Sequence, residues 1–221
     1  MVDVSRQIDA VTRSVRTEQL DGVECRVQSL TQSYPSPIDD VWDATTSAER
    51  IARWFLPVEG DLQLGGRYQL IGNAGGTIES CAPPSRGAAG YRVTWEYGGG
   101  VSRVQVDLRA AGEDSTELTL THVAPAGDLP PGFWEQYGPG ATGVGWDQGL
   151  LGLALHLAGD GSIAPAEAEA WMLSDEGRSF ARQAADAWSA VQIAAGDAPD
   201  AARRAADATY AFYTGQALPE G

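Results

Sequence analysis

Apolar and polar residues alternate along 22–33 (GVECRVQSLTQS), with Val23, Cys25 and Val27 on one face and Leu30 joining it after a slip. That pattern predicts a half-buried strand. Ahead of it, residues 3–20 are amphipathic without a clean period and fit a short helix or a strand. The period turns helical over SPIDDVWDATTSAERIARWF. Ser36 is placed to cap, Pro37 takes the first helical position where its missing N–H is no loss, and Val41 and Trp42 fall on an inward stripe. Thr46 and Glu49 have capping-box spacing, predicting a second short helix that buries Ile51, Trp54 and Phe55 and stops at Pro57.

Short alternating runs follow, separated by Gly and Pro turn signals: 67–72, 77–82, 91–97, 101–110 and 117–123. Tyr91, Val93, Trp95 and Tyr97 share one face of their run, as do Val104, Val106 and Leu108, and Leu118, Leu120 and His122. Runs at this spacing without helices between them predict an antiparallel meander. From Val144 the period becomes helical again. Trp146, Leu150, Leu153 and Leu157 make one face and Leu151 and Leu155 the other, so this helix needs partners on two sides. The sheet can supply one. Residues 163–214 are helical in pattern, with stripes at Phe180, Ala184, Trp188 and Val191 and at Ala201, Ala205, Ala208 and Phe212, and they are expected to supply the other.

The predicted class is α+β: a curved antiparallel sheet wrapped around a long helix, two short helices after the first strand, and extra C-terminal helices. The expected division is 1–21 as an N-terminal extension, 22–158 as the sheet-and-helix domain, and 159–221 as a helical extension packed on the long helix.

The formal net charge of −15 repels phosphate backbones and anionic lipid surfaces, so neither nucleic acid nor membrane is an expected partner. Every basic residue is Arg. Cys25 and Cys81 are too few and too far apart for a disulfide framework or zinc knuckle and are read as reduced thiols. The N-terminus lacks a signal-peptide core, and a cytoplasmic location is expected.

The stretch YPSPIDDVWDATTSAERIARWFLPVEGDLQLGGRY resembles the signature of the activator-of-heat-shock-protein-90-ATPase homologue family within the SRPBCC superfamily. THVAP at 121–125 and GWDQGLLGLALHL at 145–157 resemble that family's last strand and gripping helix. GNAGGTIE at 72–79, GPGATGVGW at 138–146 and AFYTG at 211–215 resemble a bacterial subgroup with an extended C-terminus. The resemblance implies a helix-grip fold over 22–158. It does not fix an activity, because the superfamily holds ligand carriers, cyclases, lipid-transfer domains and co-chaperones.

In such a fold a gap between sheet and helix is expected to hold a small hydrophobic or aromatic ligand. Its expected lining is Tyr68, Leu70, Trp95, Val106, Leu120, Trp146, Leu150 and Leu153, with core packing as the alternative role for each. The family pattern implies an aliphatic residue where Glu79 stands. If Glu79 shares an inward face with Thr77 and Cys81, it needs a partner or a ligand; if Ile78 and Ser80 face inward instead, it is solvated. His122 is either a hydrogen-bonding group at the pocket mouth, in reach of Glu79, or a satisfied structural histidine. His156 is read as a favourable charge near a helix C-terminus.

GPGATG at 138–143 satisfies G-x-G-x-x-G but lacks the strand before it that a dinucleotide site needs. It is read instead as a close-packed, flexible turn into the long helix. No catalytic constellation, metal site or cofactor is predicted. Non-catalytic ligand binding leads. The alternatives are a regulator of a heat-shock-protein-90 ATPase, with the chaperone as partner, and a cyclase or hydrolase using Glu79 and His122.

Overall fold

The computed structural model describes residues 3–159 and 165–218. The chain opens with α1 (Val4–Asp9), β1 (Thr12–Leu20) and β2 (Val23–Tyr34), so the ambiguous N-terminal stretch contains both a helix and a strand. The two short helices are α2 (Ile38–Thr46) and α3 (Ala48–Trp54). Six strands follow: β3 (Val58–Gly60), β4 (Arg67–Leu70), β5 (Gly75–Ser85), β6 (Ala88–Tyr97), β7 (Gly100–Gly112) and β8 (Ser115–Pro125). Then come α4 (Phe133–Tyr137), α5 (Gly140–Ala158), α6 (Pro165–Met172), α7 (Asp175–Ala194) and α8 (Pro199–Thr214).

All eight strands form one antiparallel sheet in the order β1-β2-β8-β7-β6-β5-β4-β3. The sheet curves around α5, with α2 and α3 against its other end, which is a helix-grip architecture. β1 pairs with β2 along its whole length, from Thr12 opposite Thr31 to Leu20 opposite Val23, so residues placed in an N-terminal extension supply the sheet's first strand.

Several local expectations need correction. The slip expected in β2 is absent: its pairing with β8 runs without interruption from Cys25 to Tyr34. The inner face carries Gln28, Leu30, Gln32 and Tyr34, while Cys25 and Val27 are buried on the opposite parity. The capping box does not form. Ser47, not Thr46, is the N-cap of α3, and the Thr46 hydroxyl donates to the Trp42 carbonyl inside α2 (2.7 Å). Pro37 sits at the N-cap of α2 rather than in its first turn, and no side chain caps that end.

α5 is apolar on both sides, and each side is covered. Leu150 and Leu153 turn towards the sheet and α3, while α7 packs along the other flank with Phe180, Ala181, Ala184 and Trp188 fully buried. α7 begins where Ser174 accepts a hydrogen bond from the Gly177 N–H, with Asp175 and Glu176 in its first turn. α8 has Pro199 in its first turn and ends at Gly215 with φ 65°, a left-handed stop. Of the stripe expected on α8, Ala205 and Ala208 are buried but Phe212 is 63% exposed. The inward positions there are Ala202, Ala205, Ala206 and Thr209.

Candidate functional site: a cavity between sheet and helix

The inner faces of the strands and of α5 do not close on each other completely. They leave a cavity of about 160 Å³. Its floor is aliphatic, with Val93, Val104, Val106, Leu118 and Leu120 from the sheet. Its rim is aromatic, from Tyr68 on β4, Tyr91 and Trp95 on β6, Trp146 on α5, and Trp54 and Phe55 at the end of α3. The lining contains no ionisable acid or base apart from phenols and one thiol.

The eight apolar and aromatic residues expected at such a site all border it: Tyr68, Leu70, Trp95, Val106, Leu120, Trp146, Leu150 and Leu153. Pattern reading missed others. Ile51, Trp54 and Phe55 were expected as buried helix core, yet they form a wall of the cavity. Tyr91 and Val93 share the parity of Trp95, so the alternation of β6 already pointed to them. Val58 lies in a strand of only three residues and Leu62 in the loop after it, so neither carries a periodic signal.

The aromatic wall is tied together. Trp95 meets Trp146 edge-on with ring centroids 5.0 Å apart, and Phe55 stacks with Trp146 at 6.4 Å. Trp146 is further held from behind by His122, which is buried and does not itself line the cavity. The Trp146 indole N–H donates to His122 Nδ1 (3.2 Å), and His122 Nε2 pairs with Ser102 Oγ (2.8 Å). An indole can only donate, so Nδ1 is the acceptor and the proton resides on Nε2, which donates to Ser102. Ser102 passes its own hydrogen to the Trp95 carbonyl (3.3 Å). His122 is therefore a positioning residue for both tryptophans, and the chain of bonds requires a neutral ring.

Burial brings the His122 pKa down to about 4. Because the folded-state value lies below the unfolded value, the unfolded chain binds the extra proton first as pH falls through 6.5. The stability attached to neutral His122 is complete above that pH and is lost towards pH 4. Between pH 7 and 5 the expected loss is about 2 kcal/mol. It should be visible as a drop in urea midpoint that a His122→Gln variant does not share. Identical pH profiles for the two proteins would contradict the neutral-ring arrangement.

Glu79 does not face the cavity. The β5–β6 pairing shifts between Ile78 and Ser80, leaving Glu79 as the extra residue of a bulge. Ile78 before the bulge and Cys81 after it both line the cavity, so inward parity switches across it. Glu79 instead pairs with Arg92 (2.8 Å) and Arg103 (3.1 Å), whose neighbours Val93 and Val104 are the inward residues of their strands. The carboxylate and the His122 imidazole are thus on opposite faces of the sheet, and the acid–base pair required by the cyclase or hydrolase reading does not assemble.

Two further expectations change. His156 accepts a hydrogen bond from Arg50 Nε (3.2 Å), and burial with the charges of Arg50 and Arg53 pushes its pKa down, so it serves as a neutral acceptor rather than a cation at a helix end. The GPGATG segment is close-packed as expected, but most of it is helix rather than turn. It is preceded by α4 instead of a strand, and from Gly140 it is the first turn of α5, packed on α7 and α8. Among the described residues no group of three or more His, Cys, Asp or Glu side chains is arranged to hold a metal ion, Cys25 and Cys81 are free thiols, and no helix is long and apolar enough to cross a membrane.

Comparison with known proteins agrees with this architecture. The family model described as activator of Hsp90 ATPase homolog 1-like protein matches residues 35–158. The solution structure of CalU16 from Micromonospora echinospora is 32% identical, with TM-score 0.67 over 85% of this chain and 97% of that one. The crystal structure of CalU16 is 30% identical, with TM-score 0.62 over 82% and 98%. A coverage of 85% exceeds what the residues ahead of α6 supply, so the likeness extends into the C-terminal helices. A conserved protein of unknown function from Enterococcus faecalis, EF2215, shares the fold at 15% identity, with TM-score 0.51 over 73% of this chain and 85% of that one. No curated protein matches. With more than half its length under the family model and CalU16 covered almost end to end, this chain belongs to the activator of Hsp90 ATPase homolog 1-like family of the SRPBCC-like superfamily.

Proposed function

We propose that the protein binds a small hydrophobic or aromatic molecule, without chemical conversion, in the cavity between sheet and α5. The observation that carries this reading is an apolar hollow between sheet and helix with six aromatic side chains and no charged residue on its wall. A well-formed core closes such spaces, because each unfilled methyl-sized void costs about 1 kcal/mol. A hollow of about 160 Å³ is close in size to engineered apolar cavities of roughly 150 Å³ that stay dry and take up benzene. The family and fold support a ligand-binding or regulatory role, and the separation of Glu79 from His122 removes the acid–base pair on which a catalytic reading rested.

Trp95 and Trp146 face each other on the wall, so ligand entry is expected to quench tryptophan emission. A ligand at a hundred times its Kd should raise the unfolding free energy by about 2.7 kcal/mol. Leu120→Trp, which fills the cavity from the sheet side, should leave the circular dichroism spectrum intact and abolish both responses. Native mass spectrometry of freshly purified protein would reveal a co-purifying occupant. The proposal fails if a broad screen of small apolar and aromatic compounds moves neither fluorescence nor melting temperature, or if Leu120→Trp responds as the wild type does.

A further inference from the structure

The polar atoms on the cavity wall are nearly all committed to protein partners. The Trp54 indole N–H donates to the Ala44 carbonyl (2.9 Å) and that of Trp146 to His122. The Tyr68 hydroxyl donates to the Thr94 carbonyl (2.7 Å). Thr45 and Thr46 donate to carbonyls of their own helix. Among the described residues, Tyr91 and Trp95 are the two wall residues whose O–H or N–H donor has no acceptor.

The Tyr91 hydroxyl is the more informative of the two. Its ring stands edge-on to Trp42 at 6.2 Å, between Cys81 of β5 and Val106 of β7, and the residue is half-buried on the cavity wall. The hydroxyl oxygen is not sealed in by neighbouring atoms, so it borders open space. Burial also pushes its pKa up, which keeps the phenol protonated and a donor at any ordinary pH. A donor that opens onto an apolar hollow and has no protein acceptor is left to water or to a ligand, so a ligand oxygen placed there gains a hydrogen bond that a purely apolar ligand cannot make. Trp95 lies four residues further along the same strand, about 13 Å away, at the Trp146 end. The cavity therefore has an aromatic clamp at one end and a free hydroxyl at the other.

We propose that Tyr91 is the specificity-determining residue of this cavity, its hydroxyl donating to a ketone, ester or ether oxygen on an uncharged, ring-bearing ligand. This deepens the ligand-binding reading and rests on it. The absence of charged groups on the wall disfavours an ionic ligand, whose desolvation nothing there would offset.

Two probes of nearly equal shape, 1-indanone and indane, differ in a single carbonyl oxygen. Their dissociation constants are to be measured by tryptophan quenching for wild type and Tyr91→Phe. The expected result is that Tyr91→Phe weakens 1-indanone by about 3- to 10-fold. Indane should bind within about twofold of its wild-type affinity, because the hydroxyl makes no contribution to it. The melting temperature should be unchanged or slightly higher, since the hydroxyl has no protein partner to lose. If both probes bind and their affinity ratio is the same in the two proteins, the anchoring role is overturned while the cavity reading stands. The anchor is also overturned if Tyr91→Phe melts well below wild type, because the hydroxyl is then structural. If wild type binds neither probe, the cavity reading fails for ring-sized ligands and the anchor falls with it.

Discussion

Arg13→Met is expected to destabilise the fold by about 3–5 kcal/mol, a large fraction of the stability of a domain this size. Arg13 and Asp147 form an ion pair whose side chains are 5% and 1% exposed. Asp147 accepts from Arg13 Nη2 (2.7 Å) and Nε (3.1 Å), and its other oxygen accepts from the Trp188 indole (2.9 Å). Arg13 Nη1 closes the remaining gap by donating to the carbonyls of Ile8 and Val11. One cluster thus ties together the end of α1, the start of β1, the middle of α5 and the middle of α7. Removing the guanidinium leaves a buried carboxylate with Trp188 as its remaining donor. The penalty comes from the abandoned charge more than from the lost attraction, and this can be separated experimentally. Asp147→Asn keeps an acceptor for Trp188 while removing the charge, so the double variant Arg13→Met/Asp147→Asn should recover at least about 2 kcal/mol relative to the sum of the single variants. Urea unfolding of the four proteins measures this coupling. Strictly additive losses would mean that the pair is not acting as a unit.

That cluster was invisible in the sequence for a physical reason. Arg13 and Asp147 stand 134 positions apart, and each looks like an ordinary surface residue within its own segment. β1 was hard to read for a related reason: most of its residues are exposed or half-exposed, as suits an edge strand, so no clean burial period develops. By contrast, β6, β7 and β8 are legible because each has one buried face that alternation records directly, and α5 because its two apolar faces repeat at helical spacing. The same rule explains the site. Eight cavity residues could be placed because they occupy inward positions of regular elements. Glu79 could not, because a bulge inserts one residue and reverses parity without leaving a mark in composition. His122 was placed on the correct face of β8, but its work is behind the wall, holding Trp146, and only the contact between β8 and α5 reveals that.

α7 and the cavity wall meet through α5. α5 has one flank on the hollow and the other on α7, so the hollow keeps its shape only if α5 is held from outside. Trp146 lines the cavity, and the next residue, Asp147, is anchored to Trp188 of α7. α7 therefore braces the helix that carries Trp146 as well as covering its apolar flank.

The glycines of α5 test this directly. In a helix interior, Gly→Ala ordinarily gains about 1 kcal/mol through backbone entropy. At Gly143 the sign should reverse. A Cβ there would sit 2.3 Å from the Trp188 ring, and the indole cannot yield, because Trp188 is fully buried and its N–H is held by Asp147. α5 and α7 would have to separate, and the expected net loss for Gly143→Ala is about 2–3 kcal/mol. Gly149 is the matched comparison on the same helix: a Cβ there meets Phe55 at 3.6 Å, an ordinary contact, so Gly149→Ala should be neutral or stabilising. Combining Gly143→Ala with Trp188→Phe should cost less than the sum of the two changes, since the smaller ring makes room for the methyl group. Thermal melts of these variants decide between two accounts of the glycine-rich segment. If it is a close-packing device, Gly143→Ala lowers the melting temperature and Gly149→Ala does not. If both variants melt at or above the wild-type temperature, close approach of α7 is not what the glycine at 143 provides, and the link from α7 to the cavity wall is broken.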